Sequence, residues 1–148
     1  MKIGIASDHR GYILKEKIIK NLIEEHEIID CGTNSQESTD YPDYAFKLGN
    51  LVADKDAEFG IAICGSGIGI SIACNKVKGI RCAKVDSIEE AVATRNDNDS
   101  NIIAFGEKMS LEKALDLINT FINTETSQDE KHVRRRNKIK EYEDLHQC

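Results

Sequence analysis

The segment "FGIAICGSGIGISIACNK", from Phe59 to Lys76, decides the fold because a short apolar run passes directly into a loop with three glycines in five residues. The run from Phe59 to Cys64 has the length of a strand and is too apolar for a sheet face open to water. The stretch from Ile68 to Val77 then has the length of a helix. A strand, a glycine loop and a helix together predict a unit of an α/β protein.

The same alternation extends along the chain. Four further runs predict strands, at Lys2–Ser7, Glu27–Cys31, Ile80–Val85 and Asn101–Gly106. Four further segments have helical length, at Gly11–Glu25, Tyr41–Lys55, Ser87–Arg95 and Ser110–Asn123. The sequence therefore predicts a three-layer α/β/α domain around a five-stranded parallel sheet, with ligands bound by loops at the carboxyl ends of the strands.

The composition indicates one globular domain over residues 1–148, with 40% apolar and 31% charged residues. The apolar runs are too short to span a bilayer, and the start "MKIGIASDHRGY" reaches a glycine and charges too soon for a signal peptide. We therefore expect a soluble cytoplasmic protein with no membrane partner. The net charge of -6 opposes broad binding to nucleic acid, so that any anion site must be local.

The five cysteines are scattered and contain no C-x-x-C pair, which predicts free thiols rather than zinc ligands or a redox couple. The C-terminal stretch 128–148 is highly charged and predicts a helix that packs on a partner subunit or frays. Its basic run "KHVRRRNKIK" is typical of a solvated helix face and fits a nucleic-acid patch less well in an acidic chain.

Candidate functional residues follow the strands. The first strand ends in "SDHRG", which supplies Asp8 and His9, and the third ends in Cys64. The polar segment "RNDNDSN" instead precedes the fifth strand, so it lies at the opposite edge of the sheet. We therefore hypothesise that this segment serves a site on a neighbouring subunit.

The glycine loop predicts an oxyanion site. Gly65, Gly67 and Gly69 lack a Cβ, so successive backbone N–H groups can turn toward one point, next to the positive end of the following helix. The spacing matches neither a dinucleotide fingerprint nor a P-loop. Cys64 beside such a site is either a base or nucleophile favoured as a thiolate, or a small core residue that ends a strand.

The other candidates also have structural interpretations. Asp8 could cap the helix that begins near Gly11, and His9 could be a solvated loop histidine. Tyr41, before a proline, is often a packing residue at a helix start.

Five segments together, "SDHRG", "GTNSQESTDYPDYA", "ICGSGIGISIACNKVKGIR", "NDSNIIAFG" and "KHVRRRNKI", resemble the type B ribose-5-phosphate isomerase family. That family also includes allose-6-phosphate and galactose-6-phosphate isomerases, and the resemblance runs from Lys2 to Tyr142. It implies a Rossmann-like subunit, a homodimer or dimer of dimers with active sites shared across the interface, and no metal or organic cofactor.

The resemblance also implies roles for individual residues. Cys64 would be the base that moves a proton between C2 and C1 through an enediolate, and Ser66 would assist it. Backbone amides of the loop would hold the enediolate oxygens, at Gly65, Ser66, Gly67, Ile68 and Gly69. Asp8 and His9 would bind sugar hydroxyls and phosphate, Tyr41 would line the pocket and Asn98 would contact the sugar.

Two departures from the family pattern concern ring opening and phosphate binding. Asp97 in "DND" stands where the family usually has the histidine that opens the sugar ring, which leaves Asp8, His9 or a water as candidate proton donors. Arg135 matches a phosphate-binding arginine, whereas Lys108 and Lys131 stand where arginines are typical and lack the bidentate fork.

The sequence leaves three functions open. The main interpretation is an isomerase that interconverts ribose 5-phosphate and ribulose 5-phosphate. The alternatives are an isomerase of an aldohexose 6-phosphate and a phosphosugar-binding relative with little turnover. Retention of Cys64, Ser66 and the glycine loop argues against the last.

Overall fold

The computed structural model describes residues 1–147, in which strands and helices alternate as predicted. The strands are β1 (Lys2–Ser7), β2 (Glu27–Asp30), β3 (Phe59–Cys64), β4 (Cys82–Lys84) and β5 (Ile102–Gly106). The helices are α1 (Tyr12–Leu22), α2 (Tyr41–Ala53), α3 (Ile68–Cys74), α4 (Ile88–Asn96), α5 (Leu111–Asn123) and α6 (Glu130–His146). Helices α1 and α3 end earlier than predicted, because the chain beyond each continues in tight turns that bond back to its last residues.

The five strands are parallel and lie in the order β2-β1-β3-β5-β4, which confirms the predicted sheet. The chain moves from β1 to β2 on one side and then returns to place β3 on the other side of β1. The loops that leave β1 and β3 therefore diverge. In parallel sheets this reversal leaves a crevice at the carboxyl edge, where ligands usually bind.

Alternate residues of β3 face the two helical layers. Ile61 and Ile63 belong to the core that packs against α1, α4 and α5, whereas Ala62 and Cys64 belong to the core that packs against α2 and α3. All four side chains are buried. Because successive side chains of a strand point to opposite faces, the period of two explains why Cys64 lies on the same side as α3.

The face toward α2 and α3 carries small residues. In the central strands Ala6 pairs with Ala62, and Ala62 pairs with Ala104. This row of methyl groups lets α2 and α3 pack close to the sheet, which places the start of α3 directly beside the end of β3.

Helix α6 buries none of its residues and contacts the rest of the chain through polar groups. Arg136 donates hydrogen bonds to the carbonyl oxygens of Asp97 (3.2 Å) and Ser127 (2.8 Å). Near its other end Glu143 Oε1 accepts a hydrogen bond from the backbone N–H of Gly79 (3.0 Å). The predicted helix is confirmed, and its packing on a partner subunit remains a prediction.

The predicted free thiols are confirmed for Cys31, Cys64, Cys74 and Cys82. Cys148 lies outside the described residues. Over residues 1–147, none of the helices has the length and apolar character that crossing a bilayer requires.

Candidate active site

A cleft of about 1010 Å³ opens at the carboxyl edge of the sheet, between the loops that follow β1, β2, β3 and β5. It brings together most of the residues that the sequence singled out. Those that line it are Asp8, His9, Tyr41, Cys64, Gly65, Ser66, Ile68, Gly69 and Lys108. The cleft thus lies where the reversal in strand order predicts a ligand site.

Cys64 combines the two interpretations that the sequence left open. Its side chain belongs to the core beneath α2 and α3 and is 4% exposed, yet the residue also lines the cleft. The backbone N–H of Gly67 donates a hydrogen bond to its Sγ at 3.1 Å. This hydrogen bond fixes the sulfur beside the glycine loop, at the edge of the cleft.

Two positions of the loop require glycine because neighbouring atoms leave no room for a Cβ. Gly67 has a φ of +81°, and a Cβ on it would meet the backbone carbon of Phe105 at 2.7 Å. A Cβ on Gly69 would meet Cζ of Tyr41 at 2.7 Å, so the absent side chain lets the Tyr41 ring lie against the start of α3. Gly69 therefore makes room for Tyr41 in the cleft wall, whereas Gly67, which the sequence predicted to bind the ligand, is not among the residues that line the cleft.

Asp8 and His9 are held by local hydrogen bonds. Asp8 Oδ1 accepts from the backbone N–H groups of Arg10 (3.0 Å) and Gly11 (3.1 Å), which supports its interpretation as a residue that stabilises the start of α1. His9 Nδ1 accepts from the backbone N–H of Thr39 at 3.2 Å. The neutral imidazole therefore carries its proton on Nε2, the nitrogen that remains for a ligand.

Arg10 and Glu107 form a bidentate ion pair at the cleft that the sequence interpretation missed. Arg10 Nε and Nη2 donate to the two carboxylate oxygens of Glu107 at 3.0 and 2.7 Å. These hydrogen bonds raise the pKa of Arg10 and lower the pKa of Glu107. Arg10 follows β1 and Glu107 follows β5, so the rule that selected Asp8 and His9 would have found both.

The remaining predicted residues are not part of the cleft wall. Asp97 and Asn98 precede β5 and lie at the amino edge of the sheet, as expected from their place in the sequence. Lys131 and Arg135 are exposed on α6, one helical turn apart on one face. We call Asp97, Asn98, Lys131, His132 and Arg135 the amino-edge cluster.

Asp99 holds the loop that carries this cluster. It has a φ of +50° and accepts hydrogen bonds from Arg95 (2.8 Å), Thr126 (3.0 Å) and Arg81 (3.1 Å). Burial acts to raise the pKa of Asp99, but the hydrogen bonds from Thr126 and Arg95 and the charges of Arg95 and Arg81 together lower it. Arg95 also lies over the ring of Phe59 at 4.8 Å. The loop is therefore fixed by ionic and aromatic contacts.

His132 is the member of the amino-edge cluster that the sequence interpretation did not assign. Its Nε2 lies 3.7 Å from Oδ1 of Asp97, and its side chain is 20% exposed. The residue stood inside the quoted segment "KHVRRRNKI", but nothing in the sequence indicates that α6 brings it to the end of α4.

No group of three or more histidine, cysteine, aspartate or glutamate side chains in residues 1–147 is arranged to hold a metal ion. The polar groups of the cleft instead suit a ligand that carries hydroxyls and an anionic group, since they combine carboxylates, an imidazole and cationic side chains.

Residues 3–139 match the family described as Ribose/Galactose Isomerase, and the chain belongs to this family. Among its relatives, ribose-5-phosphate isomerase B of Escherichia coli (strain K12) is 42% identical over 126 residues, which cover 84% of this chain and 85% of the relative. The family predicted from the five sequence segments is thus confirmed.

Solved structures of family members share the fold over nearly the whole chain. Ribose-5-phosphate isomerase B of Clostridium thermocellum is 45% identical with a TM-score of 0.93, covering 98% of this chain and 99% of that one. The enzyme of Mycoplasma genitalium, solved with bound ribulose 5-phosphate, is 33% identical with a TM-score of 0.89, covering 97% and 96%. The Rossmann-like α/β/α prediction is therefore confirmed.

Proposed function

We propose that this protein is a sugar-phosphate isomerase that interconverts ribose 5-phosphate and ribulose 5-phosphate through an enediolate. In the aldose direction the Cys64 thiolate takes the proton from C2, and electrons move to the carbonyl oxygen on C1. The hydroxyl proton on O2 then passes to O1, and the proton held by Cys64 returns to C1 as the carbonyl forms at C2. The observation that carries the proposal is the position of Cys64 Sγ, which lies at the end of β3 in the cleft and accepts the Gly67 N–H at 3.1 Å.

The glycine loop would stabilise the enediolate. In the free protein the Gly67 amide faces Sγ, and the Ile68 amide bonds to Ser66 Oγ at 3.1 Å. A substrate oxygen would take the place of Ser66 Oγ at the Ile68 amide and free that hydroxyl for a second hydrogen bond. Once substrate binding has displaced Ser66 Oγ, the Ile68 amide would point at the oxygen on which charge develops, and such a donor lowers the barrier.

The substrate would contact two copies of the chain. Asp8, His9, Tyr41 and Lys108 of the cleft would bind hydroxyls and phosphate. The amino-edge cluster of a second copy would add Asn98 to the sugar, and Lys131 and Arg135 to the phosphate. This arrangement rests on the family resemblance and on the positions of the two groups, which lie at opposite edges of one sheet.

The experiment that tests the activity compares ribose 5-phosphate, allose 6-phosphate and galactose 6-phosphate with the purified protein. We expect the highest kcat/KM for ribose 5-phosphate. A higher value for either hexose phosphate would reassign the substrate, while micromolar calorimetric binding without turnover would instead support a phosphosugar-binding protein.

A further inference from the structure

Opening a furanose ring requires a base for the anomeric hydroxyl and an acid for the ring oxygen. We propose that His132 is this acid and that it acts with Asp97 as a pair, an assignment that rests on the proposed isomerase function. By the family resemblance Asp97 stands where a histidine is usual, and a carboxylate accepts protons more readily than it donates them near neutral pH. A nearby imidazole would supply the missing donor.

The structure brings the two side chains together from different elements. His132 Nε2 lies 3.7 Å from Asp97 Oδ1, which is longer than a direct hydrogen bond. Both atoms therefore remain able to bond to a ligand, although Asp97 Oδ1 also accepts from Asn96 Nδ2 at 2.8 Å. The side chains of Asp97 and His132 are 42% and 20% exposed, as expected for groups at the margin of a site.

The same contacts hold both partners in place. One turn beyond His132, Arg136 donates to the carbonyl oxygen of Asp97 itself (3.2 Å) and to that of Ser127 (2.8 Å). The backbone N–H of Ser127 in turn donates to the carbonyl oxygen of Asn96 (2.9 Å). Helix α6 is thus attached to the end of α4 by bonds on either side of the pair.

The position of the pair fits the chemistry of the substrate. His132 is adjacent in the chain to Lys131 and within one helical turn of Arg135, the two residues proposed to bind phosphate. In ribose 5-phosphate the ring oxygen is bonded to C4, next to the phosphorylated C5. A proton donor for the ring oxygen must therefore lie close to the phosphate-binding residues, as His132 does.

The proton transfers balance within the pair. In the reactive state Asp97 is ionised and His132 carries a proton on both ring nitrogens. Asp97 accepts the proton of the anomeric hydroxyl, the C1=O bond forms and the bond between C1 and the ring oxygen breaks. His132 gives its Nε2 proton to the ring oxygen and becomes a neutral imidazole. The pair then holds one proton on Asp97 and none on Nε2 of His132. Transfer of that proton from Asp97 to His132 restores the starting state without another reactant.

The earlier candidate donors are less suited to this step. Asp8 has its Oδ1 occupied by the backbone N–H groups of Arg10 and Gly11, and it is already assigned to binding the substrate. His9 has Nδ1 occupied by the Thr39 N–H, and its Nε2 is already assigned to binding the substrate.

The test isolates ring opening from isomerisation. Cys64→Ala removes the base for C2, and exchange between the α and β anomers of [1-¹³C]ribose 5-phosphate is then followed by NMR exchange spectroscopy. We expect the Cys64→Ala protein to accelerate this exchange, and adding His132→Gln to slow it about 100-fold, the scale of one general acid. The matched control is His146→Gln, since His146 is an exposed histidine at the end of α6, and it should have no effect.

The outcomes separate this inference from the proposed function. If the wild-type protein does not isomerise ribose 5-phosphate, the proposed function fails and the inference fails with it. If the wild type is active but His132→Gln behaves like His146→Gln, or if Cys64→Ala does not accelerate anomer exchange, only the inference is overturned. It is also overturned if His132→Gln weakens ribose 5-phosphate binding as much as it slows exchange, because the role would then be binding.

Discussion

The carboxyl-edge cleft and the amino-edge cluster divide the proposed chemistry between them. The cleft is built from loops that follow strands, and its key groups are fixed by backbone N–H donors, as at Cys64 and Asp8. The amino-edge cluster is built from the end of α4 and the exposed side of α6, and it is fixed by guanidinium groups. The five residues of β5 separate the two edges by about 16 Å. This separation supports the proposal that the two halves around one ligand come from different copies of the chain.

The largest expected effect concerns the cleft alone. Cys64→Ser should lower kcat for isomerisation about 10³-fold, because a serine hydroxyl ionises far less readily than a thiol and general-base catalysis is lost. Phosphosugar affinity and thermal stability should change little. Solvent deuterium incorporation at C2 provides the measurement, and incorporation at the wild-type rate in the variant would show that another residue is the base.

A mixing experiment tests whether the two regions act in different subunits. Cys64→Ser and Asp97→Asn proteins, each impaired alone, should regain roughly a quarter of wild-type activity when they are unfolded and refolded together. Half of randomly assembled dimers are then mixed, and each mixed dimer has one site with both intact regions. Activity that stays at the sum of the two separate variants would show that each site is completed within one chain.

Asp97→Asn should lower the aldose-direction rate about 100-fold, by removing the base for ring opening. The aldose-direction rate should also stop rising at high enzyme concentration, because spontaneous ring opening in solution becomes limiting. The rate in the ketose direction should stay proportional to the enzyme concentration, since ribulose 5-phosphate is acyclic. Asp97→His should restore the aldose direction. Asp116→Asn is the control, as Asp116 is exposed on α5, and a linear aldose-direction response in Asp97→Asn would contradict the assignment.

Arg135→Ala should raise KM for ribose 5-phosphate roughly 10- to 100-fold, because loss of a charge-assisted hydrogen bond to phosphate costs about 1.5 to 3 kcal/mol. Lys131→Ala and Lys108→Ala should have smaller effects, since lysine lacks the bidentate geometry. The adjacent and exposed Arg134 supplies the control variant. Equal KM values for Arg135→Ala and Arg134→Ala would remove Arg135 from the phosphate site.

The smallest expected effect is on thermal stability, whose dependence on pH should differ between the two regions. The pKa of Asp99 is lowered in the folded protein, so its contribution to stability is present above its ordinary value of 3.8 and is lost as the pH falls through the folded pKa. Asp99→Asn should therefore lower the Tm at neutral pH and lessen its decline below pH 3.8. Glu107→Gln should do so less, because its ion pair with Arg10 lies nearer the surface. Melting curves measured from neutral to acid pH would test this order. A larger loss of Tm in Glu107→Gln than in Asp99→Asn would show that the Arg10–Glu107 pair contributes more to stability.

Local patterns explain why most of the cleft could be predicted. Cys64, Asp8 and His9 each follow an apolar run directly, and parallel strands bring such residues to one edge. Arg10 and Glu107 also follow strands, so the same reasoning would have placed each of them at this edge. Their pairing could not be predicted, because the two residues are far apart in sequence and meet only when β1 and β5 lie in one sheet.

The amino-edge cluster was harder to predict for a physical reason. The chain places Asp97 on one element and His132 on another, and their approach depends on how α6 docks against α4 through Arg136. Helix α6 buries no residue, so its docking direction is not encoded in an apolar stripe that a sequence pattern would reveal.

The sequence by itself determined the order of strands and helices, the parallel sheet, the family, and the glycine loop beside Cys64, because these depend on periodicity and on neighbours along the chain. Only the tertiary structure decided that the Gly67 amide faces Sγ, that Arg10 pairs with Glu107 and that His132 meets Asp97. The distances between these groups are set by strand order and helix packing, so they cannot be predicted from a local sequence pattern.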